Sequence, residues 1–247
     1  MPATDDADGQ ARQPGRDARR EEQRHATAIT VLAVTLTLAA GATDVASFTR
    51  LGDVFASVMT GNLVLLGLAI GRSSALATHA VVAFGGYMVG VAAGARLVPA
   101  GQAHGGPWHR ALPTALLVEL VLLVGFAVGW ELTDAAPHGA AQLVLLALAA
   151  TAMGTQSAAA RGFGARVSTT YLTGTLTGVV AAWVTPGRRA TMEWREASLL
   201  MAVAVGAAAG GLVIANAAAG LPAIPLTAVV LVIVAARARD RGARPSR

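Results

Sequence analysis

Two carboxylates in this chain stand where an apolar run offers little to hold a charge. Asp44 closes the first such run, and Glu119 lies inside A-L-P-T-A-L-L-V-E-L-V-L-L-V-G-F. An ionised side chain at the centre of a bilayer costs about 2.5–3.5 kcal/mol on insertion scales, so Glu119 has to face other helices, find a partner or hold a proton. Arg96 and the hydroxyls and amides of two polar segments are its candidate partners. Asp44 has two readings. It caps a helical segment in the headgroup region, or it faces a cavity and pairs with Arg50 or a cationic solute.

The polar segments are Thr60-Gly61-Asn62 and Thr173-Gly174-Thr175, set in stretches that are otherwise apolar. They correspond. Residues 32–63 shifted by 113 positions fall on 145–176 with 8 of 32 identities, among them Gly41 on Gly154, Val54 on Val167 and Leu63 on Leu176. Fixed-period similarity of this kind is the mark of an internal repeat. Asp44 falls on Ser157, which follows Gln156, and Glu119 falls on Val232, so the two carboxylates have no charged counterparts. Glycine interruptions at corresponding places in two halves point to a binding site between repeats. They serve packing equally well, since Gly86, Gly90 and Gly94, Gly206 and Gly210, Gly67 and Gly71, and Gly174 and Gly178 are all spaced by four.

Composition narrows the function classes. Of the 247 residues 54% are hydrophobic and 13% charged, about half the charged share of soluble domains. There is no Cys and no Lys; all 19 basic residues are Arg. That removes disulfides, thiolate metal sites and Lys Schiff bases. His104 and His109 lack a neighbouring carboxylate, so no metal is expected. No HExxH, GxSxG or P-loop pattern occurs, and Leu51-Gly52-Asp53 lacks the flanks of an intramembrane aspartyl protease. Neither an enzyme nor a bound cofactor is expected. The net charge of +5 sits mostly at the two ends, which favours membrane topology over nucleic acid.

Apolar runs near 26–42, 54–71, 77–97, 112–130, 139–157, 167–185, 197–218 and 222–237 approach the length of a membrane span. The expected fold is therefore an all-α transmembrane bundle of eight spans, or six if 54–71 and 167–185 are re-entrant. Eight spans make two parallel four-helix repeats, about 26–131 and 139–237, because the shift then covers an even number of crossings. Residues 1–25 are a polar tail, 26–237 one integral membrane domain, and 238–247 an Arg-rich tail. With both tails cytoplasmic, the inner side carries most arginines, although Arg50, Arg96, Arg110, Arg161 and Arg166 fall outside. The four Trp residues (108, 130, 183 and 194) lie at span ends, as in an interfacial belt.

The run A-G-A-T-D-V-A-S-F, with V-F-A-S-V-M-T-G-N-L-V-L-L-G after it and M-G-T-Q-S-A-A-A-R and V-S-T-T-Y-L-T-G-T-L-T later, resembles the YoaK-like family of bacterial integral membrane proteins. The resemblance covers roughly residues 28–236. It rests on Gly41, Asp44, Phe55, Met59 to Leu63, Gly154, Gln156, Ser157, Thr169, Thr170 and Thr173 to Thr175. It implies a multi-pass inner-membrane protein without a cofactor or an assigned activity. On these residues the expected function is a small-solute permease or exporter. Its site would be lined by Thr60, Gly61, Asn62, Gln156, Ser157, Thr173, Gly174 and Thr175, with Asp44 and Glu119 supplying charge or proton coupling. The competing expectation is a non-transporting membrane scaffold or receptor, in which the glycine patterns serve helix packing and homo-oligomerisation and the polar clusters only specify packing.

Overall fold

Runs of Leu, Ala and Val without water to satisfy their backbone have one local solution, the α-helix. The structure, a computed structural model, describes residues 13–71, 74–98, 111–162, 174, 176–178, 180–181 and 194–242. Every regular element among them is helical. In chain order these are α1 (Gln13–Arg50), α2 (Met59–Ile70), α3 (Ser74–Leu97), α4 (Ala111–Leu132), α5 (Gly139–Gly162), α6 (Trp194–Ala217) and α7 (Ala223–Gly242). A 3-10 turn, Ala218–Gly220, joins the last two.

Five stretches are long and apolar enough to cross a membrane: Ala26–Arg50, Ala75–Leu97, Pro113–Leu132, Gly139–Arg161 and Glu196–Gly220. Met59–Ile70 and Ala223–Ala238 are shorter apolar helices. The first and fourth of the five stretches, in α1 and α5, are more than half buried, whereas those in α3, α4 and α6 are a third buried or less. Hence α1 and α5 form the centre. The buried apolar core runs through Leu116, Leu123, Phe126, Leu146, Met153, Val229 and Val232. Val64, Val121 and Leu212 point outward from the bundle, the side that acyl chains cover.

Helix directions follow from the contacts. Gly86, Gly90 and Gly94 of α3 meet Ala147, Thr151 and Thr155 of α5 in rising order, so these two helices run the same way. Gly206 and Gly210 of α6 meet Leu38 and Ala42 of α1, again in parallel. In contrast, Gly125 and Gly129 of α4 meet Leu148 and Leu145 of α5, an antiparallel pair. The ends then sort onto two faces. Face A holds the end of α1 and the start of α5, since Gln142 Nε2 donates to the Arg50 carbonyl (2.9 Å). It also holds the start of α3, whose His79 meets Gln142 at 3.1 Å. The ends of α4 and α6 join them, because Trp130 Nε1 donates to the Ala218 carbonyl (2.8 Å). Face B holds the start of α1 and the end of α7, where Gln23, Thr27 and Ala235 line a common cleft.

Helices α1 and α5 run in opposite directions, and α2 follows the end of α1 and precedes the start of α3, both at face A. One expectation is corrected here, that of Trp130. It is fully buried against Phe126 instead of lying in a lipid-facing belt, with ring centroids 5.4 Å apart.

Candidate functional site

The segment between α1 and α2 is irregular backbone with Leu51, Val54, Ala56 and Ser57 buried. Unpaired peptide groups there would be costly, and side chains supply the missing bonds. Asp44 Oδ1 accepts the Ser57 backbone N–H (2.7 Å), and its Oδ2 accepts the Ser57 hydroxyl (2.6 Å). Asn62, 1% exposed, acts as a second strap: its Oδ1 accepts the Phe55 N–H (2.9 Å) and its Nδ2 donates to the Phe55 carbonyl (2.7 Å). The Phe55 ring stacks on Phe48 at 5.1 Å and packs against Gly61. The turn out of α1 uses positive φ at Gly52 (97°) and Asp53 (58°). A side chain at Gly52 would also enter the His79 ring.

A second polar group lies between α4 and α5. Gln156 Nε2 donates to Glu119 Oε1 at 2.7 Å. Glu119 is 0% exposed and Gln156 7%. The other carboxylate oxygen, Oε2, has no partner among the described residues, and neither does the buried Ser47 Oγ.

Sequence reasoning therefore found the polar residues but not their partners. Asp44 bonds to Ser57 and not to Arg50; Glu119 bonds to Gln156 and not to Arg96, which is exposed with Nη1 toward the Ala92 carbonyl. Thr60 is exposed, Gly61 half-buried and Ser157 half-buried beside Gln156. Gly174 is helical and exposed, while Thr173 and Thr175 lie outside the described residues. The polar residues meet as two separate groups, Asp44 and Asn62 on the α1–α2 segment and Glu119 with Gln156 between α4 and α5. Ser57, Gln142 and His79 were missed. A polar residue in an apolar run was their only signal, and His79 and Gln142 are 63 positions apart.

The glycines divide as well. Gly90 touches the Thr151 backbone and Gly154 the Tyr87 backbone so closely that a Cβ on either would overlap a carbonyl oxygen. Gly67, Gly71, Gly174 and Gly178 face open space. The face B cleft, about 720 Å³, is lined by Arg24, Val31 and Leu32 among others and includes neither polar group. Among the described residues no three His, Asp or Glu side chains gather as a metal site.

Comparison with known proteins agrees with a membrane chain of unassigned activity. The chain is 38% identical over 144 residues to the UPF0700 transmembrane protein YoaK of Bacillus subtilis (strain 168), covering 57% of this chain and 61% of that protein. The chain thus matches less than two thirds of that relative's length. No solved structure matches. A family model described as protein of unknown function (DUF1275) matches residues 32–236, and with that match over most of its length the chain belongs to the DUF1275 family.

Proposed function

We propose that this protein is a small-solute permease or exporter of the bacterial inner membrane, built from two inverted repeats of three crossings each. In the first repeat the first crossing, α1, is followed by a re-entrant segment, α2. The observation that carries this reading is the matched interlocking of the halves. Gly41 of α1 packs on Val203 and Ala207 of α6; Gly154 of α5 packs on Tyr87 and Val91 of α3. Likewise Gly206 meets Leu38 where Gly90 meets Thr151. Gly41 and Gly154 are 113 apart, as are Leu38 and Thr151, whereas Tyr87 and Val203 are 116 apart, as are Gly90 and Gly206. Three extra residues before α6 account for the difference, and three fewer between α6 and α7 restore the 113 spacing. Burial agrees: Ala115, Leu116, Glu119 and Leu123 of α4 and Ala228, Val229, Val232 and Ala236 of α7 are buried at the same 113-residue spacing.

Inverted repeats with polar interruptions are the usual framework for alternating access. Arginine placement supports the same topology. With six crossings, only Arg50 and Arg72 of the 19 belong to the A side, and all others belong to tails and connections that leave from B. Face B is then cytoplasmic, with both termini there. The eight-span count gave a much weaker bias.

The test is solute flux into proteoliposomes. Wild type is expected to exceed empty vesicles for at least one solute of a broad panel, and a uniform lack of excess ends the permease reading. One observation favours the scaffold alternative: Asp44 and Asn62 bond wholly within their own chain segment. Single cysteines at 60–62 separate the two, because a permease exposes some of them to water-soluble thiol reagents from one side and a scaffold exposes none.

A further inference from the structure

We propose that Glu119 is a proton-binding site, the group that takes up and releases H⁺ as the two halves rock. This rests on the permease reading and assigns its coupling ion. Glu119 is fully enclosed between α4, α5 and α7, at the seam where the first repeat meets the second. Oε1 is held by Gln156, and Oε2 is buried with no hydrogen-bond donor among the described residues. Desolvating a carboxylate oxygen without a donor or a cation is expensive, so the site calls for a positive ligand.

A metal ion does not fit that call. Hard cations gather about six oxygen ligands, and among the described residues no three His, Asp or Glu side chains gather anywhere. A proton needs one lone pair and no further ligand. The bond made is the O–H bond at Oε2, with charge going from carboxylate to neutral acid and back on release.

Among the described residues no neighbouring element shows a charged group bonded to Glu119. From α5 the facing polar group is Gln156, with Arg161 exposed at the helix end. On α7, which packs against α4, Val232 is buried and Arg237 exposed. On α3, Arg96 is exposed, Tyr87 is half-buried, and His79 is held by Ala75 and Gln142 at face A. Asp44 is tied to Ser57. The exit favours face B: Glu119 lies eight residues from the start of α4 and thirteen from its end, about 12 Å and about 20 Å along the axis.

The test is infrared difference spectroscopy of the full chain in lipid, titrated with acid and base, with H⁺ itself as probe. A protonated-carboxyl C=O band that appears and disappears with pH, is lost in Glu119→Gln and moves in Gln156→Leu is the expected result. A Glu119-dependent band that persists at every pH makes the residue a permanent hydrogen-bonding acid and overturns the proposal, as does the absence of any such band. Solute flux in vesicles is read in parallel. Flux without any effect of an imposed proton gradient sinks the proton site and spares the permease; a titrating band without flux for any solute does the reverse.

Discussion

Asp44 shows what a buried carboxylate is worth when both oxygens hold backbone and side chain of one loop. Asp44→Ala removes both bonds to Ser57, one to its N–H and one to its hydroxyl, and the expected loss is about 2–3 kcal/mol. Asp44→Asn keeps one acceptor and loses less. Equilibrium unfolding in mixed detergent ranks them, and equal stability of all three proteins refutes the strap. Asn62→Leu removes both bonds to Phe55 and is expected to cost about 2 kcal/mol by the same measurement. The sequence announced Asp44, Asn62 and Glu119 by their cost in an apolar setting. Their partners were not legible, because Ser57 is 13 residues from Asp44 and Gln156 is 37 from Glu119. No local pattern fixes a bond that depends on how the chain returns.

At the scale of elements, apolar length was a good guide to α1, α3, α4, α5 and α6 and a poor one to α2. The 54–71 run counts as a span only if residues 54–58 are helical. They are held as loop by Asp44 and Asn62, and the helix begins at Met59. Its 12 residues rise about 18 Å, short of a hydrocarbon core of about 30 Å. The glycine spacings were legible as packing motifs, but not which of them pack. Gly90→Val and Gly154→Val push a side chain into the facing backbone and are expected to cost about 1–3 kcal/mol, whereas Gly67→Ala faces open space and is neutral. Thermal denaturation in detergent checks the contrast. If Gly90→Val and Gly67→Ala behave alike, the close backbone approach between α3 and α5 is wrong.

For the whole molecule, span parity decides the symmetry. Eight crossings make the repeats parallel and six make them inverted, and the sequence left both counts standing. Since the chain has no native Cys, single-cysteine labelling from either side of the membrane decides between them. With six crossings, Gly71→Cys reacts from the same side as Asp134→Cys, and Arg161→Cys from the side of the tails. With eight, Gly71→Cys joins the tails and Arg161→Cys joins the far side. The arginine count is legible in the sequence alone, but it becomes lopsided only with six crossings.

The close glycine contacts join α1 to α6 and α3 to α5, so each tightly packed pair draws one helix from either half. On the permease reading, the unit repeated in the sequence and the unit that would move are therefore different objects. A gene cut within the 133–138 connection would yield two fragments whose best mates are on the other fragment. Either piece alone should be degraded, and both made together should reassemble.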